Sequence, residues 1–434
     1  MPLLRDLGLG IGLARRLLVS RRNRRDLARR DVRAVAPAPG TVRVAVYFAD
    51  GAVNLYQIRQ WYGPLAHLAE TVPVAIVVRN PATMLALVDE SPVPVVYARQ
   101  VVDLEAFVEA HPIAMTLYVN QNSRNFQMMR YGRMWHVFVN HGESDKMYMT
   151  TNQFKSYDYA FVAGKAALQR LGAKLWDYDL DRRAIMIGRP QADHFAGVLP
   201  FTPDDRIVVL YAPTWEGDRA AAAYGSIATH AALVPALLAT GRHRVVYRPH
   251  PRSGVLDAGY KAAHEGIVRA IDEANRRDPA AQHVYDDGPE LGWQLAVADV
   301  AITDISAMVY DRLATGKPLL VTRPVSPAAE VDEGGYLGSA EWVAADQAGD
   351  IEQLVAAVLG DEDARSRLDF WAEHHFGDTT PGEATRRFEA AVDVLIDRWR
   401  EYDRAQPLAD DAAGSEIGTG EDLLARGDDD LDSL

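Results

Sequence analysis

The chain has 434 residues, no cysteine and a formal net charge of −14 at pH 7. The absence of cysteine excludes disulfide bonds, thiolate metal sites and cysteine nucleophiles, and an acidic body argues against bulk binding to nucleic acid. No apolar run approaches the roughly 20 residues of a membrane-spanning helix. We expect no signal peptide, because arginines interrupt the apolar N-terminal stretch and no small-residue cleavage site follows.

Residues 1–40 are predicted to form a basic amphipathic helix and a linker. Leu3, Leu7 and Ile11 recur every four residues within a helix predicted over 2–31, and arginines dominate its second half. Such a helix is able to lie on an anionic membrane surface. The alternative is a helix that is solvated or packed on the body. The Ala-Pro-Ala-Pro-Gly stretch at 36–40 indicates the linker.

Residues 41–200 are predicted to form a first α/β domain, because short apolar runs alternate with segments of helical periodicity. This alternation indicates a parallel sheet covered by helices, in which ligands bind outside the carboxyl ends of the strands. The predicted strands are 43–47, 74–78, 95–97, 115–119, 135–140, 159–163 and 185–188.

Residues 201–404 are predicted to form a second α/β domain with the same alternation of apolar runs and helical segments. It ends in a long helix predicted at 383–402. Predicted strands cover 207–211, 244–247 and 297–302, and another follows at 318–321. The acidic tail 405–434 has the composition of a disordered segment.

The stretch 297–323 is predicted to be a β-α-β unit with a polar corner, Thr303-Asp304-Ile305-Ser306, between its first strand and its helix. Gly316 and Pro318 end the helix. A corner at a strand's carboxyl end and a helix's amino end favours an anion such as phosphate. The alternative is that Asp304 and Ser306 only cap the helix.

Two histidine motifs also follow predicted strands, His141-Gly142 and Arg248-Pro-His250-Pro. Histidine is the side chain best suited to proton transfer near neutral pH, and Gly142 permits close approach of a substrate. Prolines on both sides of His250 stiffen its loop. A fixed imidazole beside the guanidinium of Arg248 suits the binding of a pyrophosphate. The alternative for His141 is a strand-end histidine that is hydrogen-bonded to backbone. The alternative for the His250 motif is a simple turn.

No metal or cofactor site is predicted. The histidines lack a metal-ligand spacing, and neither a P-loop nor a Rossmann fingerprint occurs at a strand–helix turn. His374 and His375 are adjacent on a predicted helix and face apart, so we expect a structural role for both. His136, within a predicted strand, is expected to be buried and hydrogen-bonded.

From residue 141 to residue 387, the order of short motifs resembles the CDP-glycerol glycerophosphotransferases of teichoic acid synthesis. The motifs are His141-Gly142 with Lys146, Gly188-x-Pro190-x-x-Asp193, Tyr211-Ala-Pro-Thr214-Trp215, Arg248-Pro-His250-Pro, Thr303-Asp304-x-Ser306 with Asp311, Gly316-Lys-Pro318, and Asp378 with Gly382-x-Ala384-Thr385-x-Arg387.

This resemblance implies a GT-B fold, in which two Rossmann-like domains face a cleft. It also implies that His141 deprotonates an acceptor hydroxyl. This hydroxyl would attack the β-phosphorus of a CDP-polyol and release CMP. His250 would face the donor diphosphate. The residues implied at the donor phosphates are Thr214, Arg248, Asp304, Ser306, Thr385 and Arg387. Those implied at the acceptor are Gly142, Glu143, Asp145 and Lys146.

The resemblance implies a nucleotide donor and a lipid-linked or polymer acceptor as partners. The basic N-terminal helix adds the expectation of a peripheral position on the inner, cytoplasmic face of the membrane, and the acidic body the expectation of no nucleic acid. Three places differ from the family pattern: Asn140 with residues 143–145, Glu216, and the corner residues Ile305 and Ala307. The polyol and the acceptor therefore stay open at this point. A UDP-sugar glycosyltransferase or epimerase and a non-catalytic partner in cell-surface polymer assembly are the alternatives.

Overall fold

Two parallel β-sheets organise the chain. The computed structural model describes residues 19–30, 36–142, 151–217, 219–288 and 291–406. The first half of the predicted N-terminal helix, acceptor residues 143–146 and most of the acidic tail lie outside these ranges. Residues 19–28 are helical, labelled α1, and agree with the C-terminal half of the helix predicted there.

The first sheet has seven strands in the order β3-β2-β1-β4-β5-β6-β7, and every neighbouring pair is parallel. Its central strands are continuous apolar runs buried along their whole length, because helices cover both faces of the sheet. The strands are β1 (Val44–Phe48), β2 (Val74–Val78), β3 (Val95–Tyr97), β4 (Met115–Tyr118), β5 (Trp135–Phe138), β6 (Tyr159–Val162) and β7 (Ala184–Met186).

The helices around this sheet connect successive strands. The stretch 54–69, in which apolar residues recur at helical spacing, forms two short helices that separate at Gln60 and Trp61. The helices are α2 (Leu55–Arg59), α3 (Tyr62–Leu68), α4 (Pro81–Glu90), α5 (Val101–Ala110), α6 (Asn125–Met128), α7 (Lys165–Lys174), α8 (Leu180–Arg183) and α9 (Pro190–Asp193).

The second sheet has six parallel strands in the order β10-β9-β8-β11-β12-β13. Strand β11 begins three residues later than the apolar run suggested, since Val297 closes a short helix before it. The strands are β8 (Ile207–Ala212), β9 (His243–Tyr247), β10 (Val284–Tyr285), β11 (Val300–Thr303), β12 (Leu319–Thr322) and β13 (Trp342–Val343).

Helices also flank the second sheet, and the longest of those between its strands, α11, was not anticipated from the sequence pattern. His374 and His375 lie in the last turn of α15, as expected for a helical pair. The helices are α10 (Leu233–Ala239), α11 (Ala258–Arg277), α12 (Trp293–Val297), α13 (Ala307–Leu313), α14 (Ile351–Gly360), α15 (Glu362–Phe376) and α16 (Glu383–Ala405).

The last helix, α16, returns to the first sheet. Phe388, Val392 and Leu395 are buried in the same hydrophobic core as β1 and β2. The Trp135 indole N–H donates to the carbonyl of Leu395 at 3.0 Å. The apolar stripe of α16 therefore ties the C-terminal part of the chain to the first sheet.

Helix α1 packs on the body of the protein, with Ser20 and Leu27 buried. Leu27 is buried in the core of the first sheet, and Arg30 forms an ion pair with Asp89 of α4. Arg22 on this helix and Arg29, the residue just after its end, are mostly exposed. In the described parts of the chain, no helix is long and apolar enough to cross a membrane.

Candidate functional site

In the second sheet, Asp304 and Thr214 meet where the strand order reverses, between β8 and β11. Ligands of such sheets bind outside this point. Asp304 is fully buried, and its carboxylate accepts hydrogen bonds from the Thr214 N–H (2.7 Å), the Ser226 N–H (3.0 Å) and the Thr322 hydroxyl (2.5 Å). Burial raises the pKa of Asp304 to about 6, although these hydrogen bonds oppose the rise. In this structure Asp304 thus holds the loop that carries Thr214.

Ser306 is the N-cap of α13. Its hydroxyl oxygen accepts the Met308 N–H at 3.3 Å, and the hydroxyl donates to the Asp304 carbonyl at 3.3 Å. The capping role considered for Ser306 is therefore present, and it leaves the hydroxyl at the amino end of the helix, beside the Thr214 loop.

His250 lies in the loop after β9 and is held by two backbone contacts. Its N–H donates to the Pro213 carbonyl at 3.2 Å, which ties it to the Thr214 loop. Its ring Nδ1 accepts the Arg252 N–H at 3.1 Å. A ring that accepts at Nδ1 is neutral and carries its proton on Nε2, so this nitrogen is a hydrogen-bond donor.

Glu216 accounts for one departure from the family pattern. Its carboxylate accepts the backbone N–H groups of Gly254 (2.9 Å), Leu256 (2.7 Å) and Asp257 (3.1 Å). Burial alone would raise the pKa of Glu216, but these N–H groups lower it below its ordinary value. Glu216 therefore fastens the turn that follows His250, and the guanidinium of Arg252 in that turn lies 3.8 Å from the Trp215 ring centre.

Arg248 has protein partners of its own. It forms an ion pair with Asp286 at 2.5 Å and donates to the Gly288 carbonyl at 3.1 Å. Asp286 also accepts from the Gln294 amide. These contacts hold the guanidinium beside the His250 loop and balance its charge.

On the first sheet, His141 follows β5. Asn140 before it adopts a left-handed conformation (φ 58°), which asparagine tolerates better than most residues, and its carbonyl accepts the Trp61 indole N–H. The His141 ring Nδ1 lies 3.0 Å from the Val119 carbonyl. Because a carbonyl only accepts, Nδ1 must carry a proton, and the neutral ring then has its lone pair on Nε2.

Two polar residues near His141 were missed in the sequence. Asp50 and Asn120 follow β1 and β4, where the order of the first sheet reverses, and the Asn120 amide donates to Asp50 and to Gln57. The available signal was their position just after a buried strand. His136, by contrast, is buried and bonded to Tyr118 and to the Tyr131 carbonyl, as expected.

Arg189 connects the two halves and was also missed. Its buried guanidinium pairs with the Asp311 carboxylate of α13, the helix that Ser306 caps. Burial raises the pKa of Asp311, and Arg189 opposes this. A Cβ atom placed on Gly142 would lie 3.6 Å from Nη1 of Arg189. Gly142 of the predicted acceptor motif therefore lies next to an ion pair whose carboxylate stands on α13.

Thr385 and Arg387 lie at the junction of α9 and α16. The Thr385 hydroxyl donates to Asp193 at 2.9 Å and accepts from His194 at 3.0 Å. Arg387 donates to the carbonyls of Phe376 (3.1 Å) and Asp378 (2.7 Å). It closes over Gly188 (φ 73°), where a Cβ would lie 2.5 Å from its Nη2. The second and last motifs thus pack on each other, and donor binding by Thr385 and Arg387 stays a prediction.

The described residues contain no cluster of three or more His, Asp or Glu side chains that could hold a metal ion. The polar groups of the candidate site among the described residues include two loop histidines, several arginines and backbone N–H groups. A family profile described as CDP-glycerol:poly(glycerophosphate) glycerophosphotransferase matches residues 137–392, more than half of the chain. The chain belongs to this family. The resemblance predicted from the order of the motifs is confirmed.

Solved structures confirm the GT-B fold of this glycerophosphotransferase family member. The wall teichoic acid polymerase TagF aligns over 92% of this chain and 98% of its own, with 12% identity and a TM-score of 0.52. A Listeria monocytogenes protein assigned as a UDP-N-acetylglucosamine 2-epimerase aligns over 83% and 98%, with 14% identity and a TM-score of 0.53. Among curated proteins, no match to the chain is found.

Proposed function

We propose that this chain transfers a glycerol phosphate, or a related polyol phosphate, from a CDP-activated donor to an acceptor hydroxyl and releases CMP. The acceptor is a lipid-linked or polymer chain in the synthesis of a teichoic-acid-like wall polymer. Residues 41–200 present the acceptor and residues 201–404 bind the donor. The family assignment supports the type of transfer, and the likeness in fold to a wall teichoic acid polymerase is consistent with the pathway.

The observation that carries the proposal is the opposite tautomer of two loop histidines. His141 donates from Nδ1 to a carbonyl, so Nε2 of the neutral ring accepts a proton. His250 accepts at Nδ1 from a backbone N–H, so its Nε2 donates. An acceptor hydroxyl needs a base, whereas a diphosphate needs donors. One histidine of each kind, on opposite halves of the molecule, meets both needs.

The proposed reaction is a single displacement. The acceptor oxygen gives its proton to Nε2 of His141 and bonds to the β-phosphorus of the donor. The bond from that phosphorus to the bridging oxygen breaks, and CMP leaves with the oxygen. His250, Arg248 and Ser306 bind phosphate oxygens as charge moves to the leaving group, because phosphoryl transfer depends mainly on positioning and charge neutralisation.

We further propose that the enzyme works in the cytoplasm at the inner face of the membrane, where α1 contacts anionic lipid. The exposed arginines of α1 support this, since the same helix is anchored to the body by Leu27. Basic residues near an anionic surface each contribute roughly 1 kcal/mol to binding.

The deciding experiment is product analysis with CDP-glycerol, CDP-ribitol and UDP-N-acetylglucosamine, each with a lipid-linked acceptor. We expect CMP from one of the CDP-polyols and an acceptor that is heavier by one polyol phosphate. Release of UDP or an epimerised sugar instead would replace the proposal by a sugar-nucleotide enzyme. Absence of any nucleotide binding would indicate a non-catalytic partner.

A further inference from the structure

A row of polar side chains lies outside the carboxyl ends of β1 and β4, where the strand order of the first sheet reverses. The Asn120 amide donates one hydrogen bond to Oδ2 of Asp50 and another to Oε1 of Gln57, the latter at 2.7 Å. The Gln57 amide in turn donates to the Tyr56 hydroxyl at 3.2 Å. Gln57 and Asn120 are more than nine-tenths buried, so these contacts hold the row in place.

This row reaches the loop that carries His141. The Tyr56 ring lies nearly perpendicular to the His141 ring, with 5.7 Å between the ring centres. The carbonyl of Val119, directly after β4, contacts Nδ1 of His141. Gln60 lies against the same loop, because a Cβ atom placed on Gly142 would be 3.7 Å from its Oε1. The polar row and the histidine therefore lie together at one edge of the sheet.

Three oxygen atoms of this region lack a hydrogen-bond donor among the residues that the structure describes. Oδ1 of Asn120 and Oε1 of Gln60 are buried in this state, which costs free energy. Oδ1 of Asp50 lacks a described donor as well, and no described cation pairs with this half-buried carboxylate. Such oxygens favour a ligand that donates, such as a hydroxyl group, whereas the carboxylate repels a phosphate.

We propose that Asp50 binds a hydroxyl group of the acceptor substrate next to the hydroxyl that reacts, and that Asn120 and Gln57 hold Asp50 in position. This inference rests on the proposed function, in which His141 takes the proton of the reacting hydroxyl. A glycerol end with free hydroxyl groups on neighbouring carbons fits the arrangement, since one faces His141 while the other donates to Asp50. The site therefore selects acceptors that end in a vicinal diol, because a site built to bind a hydroxyl group discriminates against analogues without it.

The test measures binding without turnover, by ligand-observed NMR of the full chain. One probe is the methyl phosphodiester of glycerol at a terminal carbon, and the other is the same ester of propane-1,3-diol, which lacks the middle hydroxyl group. Asp50→Ala removes the carboxylate, and Asp50→Asn keeps an acceptor oxygen without the charge. Glu109→Gln, at an exposed carboxylate of α5, is the matched control.

We expect the wild type and Glu109→Gln to bind the glycerol ester about tenfold or more tightly than the propanediol ester, the difference typical of a hydrogen bond to a charged group. In Asp50→Ala the two esters should bind equally, and Asp50→Asn should lie between. Thermal unfolding shows whether the variants are folded, and if Asp50→Ala is not, the smaller preference of Asp50→Asn decides.

Equal affinities in the wild type, including no binding of either ester, would overturn the inference. A wild-type preference that persists in the folded Asp50 variants would do the same. Missing CMP release would instead contradict the proposed function, because these binding measurements need no reaction.

Discussion

Arg189 and Asp311 form a buried ion pair between the loop after β7 and helix α13 of the second half. Gly142, predicted to lie at the acceptor, is next to Arg189, and Asp311 lies on the helix that Ser306 caps. Both side chains are more than nine-tenths buried, so the pair joins the two candidate half-sites out of contact with solvent, in addition to the packing of α16 on the first sheet.

Breaking the pair should destabilise the protein strongly. Asp311→Asn leaves the Arg189 charge buried without its counterion, which typically costs about 3–5 kcal/mol of unfolding free energy. Urea unfolding followed by fluorescence measures the loss. In the control Asp369→Asn, which breaks an exposed pair with Arg365, we expect about 0–1 kcal/mol. Equal losses in the two variants would contradict a special role of the buried pair.

Replacing either loop histidine should abolish most CMP release, but the two positions should respond differently to glutamine. His141→Ala and His141→Gln both remove a base, which typically contributes about 10²–10⁴ in rate. His250→Gln keeps an N–H donor, so it should retain more activity than His250→Ala. Steady-state rates with CDP-glycerol test this ranking. His111→Ala is a suitable control, because His111 also accepts a backbone N–H and lies outside the site.

Glu216→Ala should loosen the turn after His250. Three backbone N–H groups lose their acceptor, and we expect a loss of about 1–3 kcal/mol in stability together with a lower kcat. Glu216→Gln keeps one acceptor oxygen and should fall between Ala and the wild type. Thermal unfolding and turnover are the measurements. A wild-type kcat in Glu216→Ala would show that the turn does not position His250.

Asp304 should make the free energy of unfolding depend on pH. Burial raises the pKa of Asp304 from 3.8 to about 6, so the folded protein binds this proton more tightly than the unfolded chain. The stabilisation is complete below about pH 4 and is lost as the pH rises towards 6, an effect of about 3 kcal/mol. The stability of the wild type relative to Asp304→Asn should therefore fall between pH 4 and 6.5 in urea titrations. A constant difference would contradict the raised pKa.

The exposed arginines of α1 should control binding to anionic vesicles. Replacing Arg21, Arg22, Arg25 and Arg29 by glutamine leaves Leu27 in the core and should cost about 1 kcal/mol of membrane binding per residue. Co-sedimentation with phosphatidylserine vesicles measures the change, and neutral phosphatidylcholine vesicles are the control. If the variant sediments like the wild type, another surface binds the membrane.

Several features follow directly from local sequence patterns. Alternating apolar runs and helical segments predicted two parallel sheets, because β-α-β units leave few other arrangements for such a pattern. His141, His250 and Ser306 could be singled out because each follows a strand, and the carboxyl ends of parallel strands share one edge of a sheet. The order of motifs indicated the family.

Tertiary structure alone decided which polar residues face one another. Nothing near Arg189 in sequence indicates Asp311, which is 122 residues away, and Thr385 binds Asp193 across 192 residues. The tautomers of His141 and His250 also depend on the folded structure. The Val119 carbonyl sets the tautomer of His141, and the turn that brings the Arg252 N–H to the ring sets that of His250. Local patterns thus determined the elements and the family of this protein. Long-range packing decided the roles of individual side chains, because burial and hydrogen-bond partners arise only when distant segments meet.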